Sequence, residues 1–248
     1  MVKPLKALDW KKASRCCLCG EGFVDKPMEK NEKRDRQHVP PKQFFPKQTR
    51  ETEKLNLWTA AAHNGCNGGL KNDEEYFYHA LAIQVTTGNP AFADVIFQDI
   101  RRRAAKPHTR SIIKALLKNA GPITPGGIHL PTDMIQWQID GQRVNRVVVA
   151  IAQALSCYHD DQFLNSRSCV IFQFCREQDK VPQVFNVLMQ NLPSISDCPS
   201  VFAYWRYDLN KKGLKIYSLL FWEAFLFCLA FDTQSQGAPD QNMASLTE

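Results

Sequence analysis

Apolar and polar positions change rhythm along the chain, and each rhythm predicts a different kind of structure. Over residues 1–71 no period holds. Short apolar stretches sit among runs of Lys, Arg, Glu and Pro, which predicts a loop-rich module with two short extended segments, one ending at His38 and one over LNLWT (55–59). HNGCNGGLKND (63–73) then reads as a turn into a short helix that carries Asn67. Helical signals follow. Asn72 is placed to cap a helix over 73–87, with Glu75 completing a capping box and Gly88 ending it. Pro90 opens a second helix over 90–106, with Pro107 after its end, and a third runs over 109–120. GPITPGGIHLPT (121–132) is irregular and marks a boundary.

Beyond that boundary DMIQWQI (133–139) alternates like a strand. Val144, Val147, Val148, Ile151, Ala152 and Leu155 then fall on one helical face. CVIFQFC (169–175) reads as a strand and 181–192 as a helix. The stretches 201–208, 214–222 and 224–231 read as consecutive antiparallel strands. The last residues, 233–248, are polar and expected to be disordered.

Composition adds three points. With 248 residues, 44% apolar, the chain has material for a substantial core. The net charge of +6 is uneven: residues 1–71 hold 15 Lys/Arg against 8 Asp/Glu, which suits a polyanionic partner such as nucleic acid or, equally, a solvated lysine-rich surface. No secretory signal opens the sequence, and the apolar run 216–231 is short for a membrane span and is interrupted by Glu223. Nine cysteines, an odd and scattered number, argue against a disulfide framework and for a reducing cytoplasmic setting.

The chemistry concentrates in two pairs. Cys16-x-x-Cys19 and His63-x-x-Cys66 supply the four sulfur and nitrogen donors that tetrahedral zinc prefers, with a folded insertion expected between them. Cys17 is the competing thiol, while Cys157, Cys169, Cys175, Cys198 and Cys228 lie in apolar segments and read as core.

A C-x-x-C pair, a His-Val-x-Pro segment, an Asn-Leu and a second pair ending in Cys-Asn resemble the HNH endonucleases that carry a structural zinc. QHVPPKQFF and CNGGLKNDEEYF are similar to a branch of small bacterial HNH proteins. The likeness covers residues 16–78 well and is weak beyond them. It implies a zinc-stabilised ββα-metal module at 1–72; with the helix and strand signals read above, the expectation is an α+β protein with a helical extension at 73–120 and a C-terminal α+β domain with an antiparallel sheet at 133–232. It also implies a structural Zn2+ on Cys16, Cys19, His63 and Cys66, and a catalytic Mg2+ or Mn2+ on residue 37 and Asn67. His38 matches the general base, and Asn56 matches the asparagine that orients the histidine or braces the loop.

This chain departs from the pattern at Gln37, where the family usually has an acidic ligand. Asp35, on the same face of a strand, and Asp73 are the acidic residues placed to compensate. Arg36, Lys42 and Lys71 are the candidate phosphate contacts, whereas the arginines at 101–103 suit a helix C-terminus. His79 and His159 read as structural, and Trp205, Tyr207 and Trp222 as sheet core. The expectation is a metal-dependent endonuclease acting on DNA, or on RNA. Its alternatives are a zinc-stabilised nucleic-acid-binding or adaptor module with a degenerate site, and a phage-defence effector that needs a partner. The C-terminal domain is the expected site of any homodimer or partner contact.

Overall fold

The computed structural model describes residues 9–53, 55, 57–82, 84–85, 90–118, 120–122, 135–136, 138–175, 181–209 and 213–234. Asn56 and nearly all of the polar tail lie outside these residues. The architecture is α+β, with six helices and antiparallel sheets among the described residues. In chain order the elements are β1 (Arg34–Val39), α1 (Lys47–Glu53), β2 (Trp58–His63), α2 (Asn64–Ala82), α3 (Pro90–Ala104), α4 (Pro107–Lys118), β3 (Gly121–Pro122), β4 (Ile135–Gln136), α5 (Gly141–Asp160), β5 (Cys169–Cys175), α6 (Gln183–Asn191), β6 (Ile195–Cys198), β7 (Phe202–Leu209), β8 (Leu214–Phe221) and β9 (Phe225–Asp232).

β1 pairs antiparallel with β2, from Arg34 opposite His63 to Val39 opposite Trp58. The second strand lies further on than expected, because pairing carries it through Thr59 and three alanines. Ala60, Ala61 and Ala62 are poor strand formers but are all buried, and their small side chains let helices approach the pair closely. Along β1, Gln37 and Val39 are buried while Arg34 and Arg36 are exposed, as the two-residue period requires.

α2 corrects the expected helix start. It begins at Asn64, immediately after β2, and runs unbroken for 19 residues, so Asn72, Asp73 and Glu75 lie inside it and cap nothing. Gly65, Gly68 and Gly69 conceal the first turns in the sequence, since glycine costs up to about 1 kcal/mol per residue in a helix. Docking offsets that cost: Asn64 N–H donates to Lys33 O at 2.8 Å, and its side chain to Lys30 O at 3.3 Å. Of the three, Gly65 alone would be crowded by a side chain, since a Cβ there would lie 3.2 Å from Asn31 Cβ. Position 72, where the zinc-bearing module was expected to end, therefore sits mid-helix. Pro107 likewise opens α4 where it was expected only to follow α3.

α5 is capped by Asp140, whose carboxylate accepts from the N–H groups of Gln142 and Arg143. All six residues of its expected apolar face are buried. It is tied to α2 by Asp73, which takes Nε of Arg143 on one oxygen and Nε of Arg146 on the other, each at 2.7 Å.

The C-terminal sheet has the order β5-β9-β8-β7-β6, antiparallel throughout. Aromatic residues of α2 pack on one face. Phe77 stacks on Phe44 at 4.9 Å and meets Phe221 edge-on at 5.0 Å. Phe174, Phe185, Met189 and Trp205 cover the other face over Leu220, Leu226 and Cys228. Trp222 is buried among Phe44, Phe77 and Tyr78. One contiguous core thus runs from Cys16–Cys19 through α2 and α5 into the sheet. No helix among the described residues is long and apolar enough to cross a membrane.

Candidate functional site

The first C-x-x-C pair sits on a tight turn. Gly20 N–H donates to Cys16 O at 3.0 Å, and Gly20 takes φ of 80°, which glycine adopts without strain. Backbone N–H groups of Leu18 and His63 reach Cys16 Sγ at 3.4 and 3.3 Å. The second pair is placed by the β2–α2 junction, which puts His63 at the strand end and Cys66 in the first helical turn. Cys19 Sγ lies 3.4 Å from His63 Nδ1, and the donor atoms of Cys16, Cys19, His63 and Cys66 all lie within 4.8 Å of one another.

Tetrahedral zinc with thiolate bonds of about 2.3 Å sets its donors roughly 3.8 Å apart, so the four fit a metal such as zinc. The electrostatics agree. Without a cation the three thiols share charge unevenly: hydrogen bonds from Cys19 and then Cys66 hold Cys16 far below its ordinary range, and the same contacts push Cys19 and Cys66 up. A bound cation is what lets three thiolates coexist. Cys17 is no part of this cluster. It is fully buried, its N–H donates to Ala61 O at 2.8 Å, and burial raises its thiol well above the usual value.

A second site lies along β1 and the facing side of α2. A cleft of about 340 Å³ is lined by Arg36, Gln37, His38, Lys42, Gln43, Asn67, Lys71, Glu74 and neighbours. An adjoining cleft of about 410 Å³ is lined by Arg36, His38, Lys42, Arg50, Leu55, Leu57 and others. His38 therefore stands on the wall common to both clefts, flanked by two cations. Its Nδ1 is covered and without a partner among the described residues, and its pKa is lowered, first by burial and then by Arg36 and Lys42, against a smaller opposing effect of Asp35. The imidazole is accordingly neutral at neutral pH, the state a general base needs.

Gln37 is 2% exposed. Its Nε2 donates to Glu74 Oε1 at 3.2 Å, and its Oε1 is buried with no partner among the described residues. Gln43 Nε2 donates to the other oxygen of Glu74 at 2.8 Å. Burial pushes the Glu74 carboxyl up to about 6, more than the hydrogen bonds from Gln37 and Gln43 pull it down. Asn67 Nδ2 donates to Asp35 Oδ2 at 2.7 Å. Six expected site residues, Arg36, Gln37, His38, Lys42, Asn67 and Lys71, therefore line one cleft. Asp73 does not join them, because both of its oxygens are taken by α5 arginines.

Glu74 and Gln43 were not singled out in the sequence. The signal for Glu74 was present: Asn67, Lys71 and Glu74 are spaced i, i+4, i+7, one face of a helix, once α2 is known to be continuous. Of the three arginines at 101–103, Arg103 turns inward. It is 8% exposed, binds Asp99 at 2.6 Å, and donates from Nη2 to Gln43 O. His79 is completely buried, and burial lowers its pKa to about 4. His159 Nε2 contacts Tyr204 Oη at 2.5 Å. Comparison of the chain with protein-family models, curated proteins and solved structures gives no match.

Proposed function

We propose that the protein is a metal-dependent endonuclease of the HNH kind, acting on DNA. The observation that carries this reading is the position of His38: at the end of the first of two antiparallel strands, opposite a helix that begins at a Cys3His cluster, between Arg36 and Lys42. In this reading zinc on Cys16, Cys19, His63 and Cys66 is structural and clamps β1, β2 and α2 together. His38, held neutral, takes the proton of a water attacking a phosphodiester. Arg36, Lys42 and Lys71 neutralise flanking phosphates.

A divalent ion, when bound, would polarise the phosphate and stabilise its developing charge. Gln37 and Asn67 are the residues the resemblance assigns to it. The partnerless, buried Oε1 of Gln37 is an oxygen donor that suits a hard cation.

The test is nicking of supercoiled plasmid with added Mg2+ or Mn2+. Wild type should convert it to open circle and His38→Ala should not; equal inertness of the two on DNA and RNA would sink the reading. A second reading, a nucleic-acid-binding module without catalysis, draws support from Gln37, which brings no charge to the site, and from the Gln37–Glu74 and Asn67–Asp35 hydrogen bonds, which tie both amide groups within the protein. It requires salt-sensitive DNA binding indifferent to His38→Ala, and no cutting by Gln37→Glu.

A further inference from the structure

We propose that Glu74 is the anionic ligand of the divalent ion, so that this chain carries on α2 the negative charge that Gln37 does not supply on β1. The inference rests on the metal half of the reading above. Three observations carry it.

The first is elimination among the acids. Two glutamates line the cleft, Glu74 and Glu75. Glu75 is committed outward, one oxygen taken by the Thr109 hydroxyl and the other 3.5 Å from His108 Nε2. Asp35 is not in the cleft lining and is held by Asn67. Glu74 remains.

The second is its setting. Glu74 is 7% exposed, yet no cationic side chain forms an ion pair with it among the described residues. Its hydrogen-bond partners among the described residues are neutral amide donors, Gln37 and Gln43, one on each oxygen. A carboxylate oxygen has two lone pairs, so each keeps one for a further partner. A buried carboxylate is costly; Lys71 offsets part of that cost from a distance without pairing with it, and a divalent ion would offset more.

The third is Gln37 Oε1, an oxygen buried in a residue 2% exposed and lacking a partner among the described residues, on the amide that touches Glu74. A buried acceptor one partner short, beside a carboxylate that forms no ion pair among the described residues, is a donor set suited to a cation. Gln43 is in turn fixed by Arg103, whose guanidinium donates to its carbonyl oxygen while gripping Asp99. The carboxylate is therefore oriented before any ion arrives.

Mn2+ binding to zinc-loaded full-length protein, followed by calorimetry with zinc content measured before and after, tests this without reference to cleavage. Wild type should bind one Mn2+ beyond its zinc. Glu74→Gln should weaken that binding roughly tenfold or more. Gln37→Glu in the Glu74→Gln background returns a carboxylate to the pair and should recover most of the affinity. The double variant keeps one amide against one carboxylate, so it carries the test even if Glu74→Gln alone folds poorly.

Unchanged Mn2+ affinity in Glu74→Gln, no Mn2+ binding by wild type at millimolar concentration, or a folded double variant that binds none would each overturn the proposal. Mn2+ binding that depends on Glu74 in a protein that never cuts would sink the nuclease reading alone. Cutting that depends on His38 with Mn2+ affinity indifferent to Glu74 would sink this one alone.

Discussion

The backbone N–H of His63 donates to Cys16 Sγ at 3.3 Å across 47 residues of sequence, so the end of β2 is fastened to the first cysteine turn by main chain as well as by a ring. Cys16, Cys17, Leu18 and Cys19 are at the same time members of the main core. Loss of the metal should therefore be felt throughout the molecule. Purified protein is expected to hold about one zinc per chain through dialysis. Cys16→Ser should hold almost none and lose several kcal/mol of stability, since binding of structural zinc is worth about 10 kcal/mol or more in small domains. Metal analysis and thermal unfolding on the same samples check both statements.

Arg36, Lys42 and Lys71 line the cleft beside His38. If each meets a phosphate, DNA affinity should fall steeply with salt, and each single change to Gln should reduce the slope of log K against log salt by about 0.9. Lys47, exposed and paired with Glu51 at 3.6 Å outside that cleft, is the control whose change should leave the slope alone. Binding isotherms at several salt concentrations decide it. A slope untouched by all three cleft variants would remove the phosphate contacts from the argument.

His79 governs part of the acid response. Its pKa is lowered to about 4, because burial and then Arg103 oppose its charge. The unfolded chain takes up this proton near 6.5, the folded chain only near 4, so stability present at neutral pH is lost as pH falls through that window. The loss attributable to His79 is at most about 3 kcal/mol. His79→Leu, which cannot titrate, should flatten the stability profile between those two values, as urea unfolding at a series of pH values will show. His159, also lowered to about 4 by burial, should leave a residual slope.

Asp73 couples α2 to α5. Asp73→Asn removes the charge that two arginines share and should cost about 2 kcal/mol, less than for a fully buried pair because the arginine side chains are 25% and 33% exposed. Zinc content should not change. Chemical unfolding beside metal analysis separates the two effects.

Local features of the sequence were readable where one element alone determines them. The cysteine spacing, the apolar face of α5 and the apolar runs that become the consecutive antiparallel strands β7, β8 and β9 all depend on residues close in sequence, and the structure has them. The start of α2 was hidden because its first turns contain three glycines, and docking against Lys30 and Lys33 outweighs their preference. β2 was displaced because alanines form a strand there only when β1 pairs with them. Glu74 escaped notice for the same kind of reason. What makes it a site residue is Gln37 on β1, 37 positions earlier, and Gln43 in the turn after that strand, 31 positions earlier, both donating to it. Short elements such as α1 and β6 left no periodic pattern to read.

α2 carries Cys66 at one end, Asn67 and Glu74 along its middle, and Phe77 against Phe221 of the sheet. Each helical residue advances the azimuth by about 100°, so one inserted or deleted residue between Cys66 and Phe77 would swing every position beyond it away from its partner. The helix acts as a phase reference between the Cys3His cluster and the sheet. Across this interval side chains can be exchanged, but the count of residues cannot change.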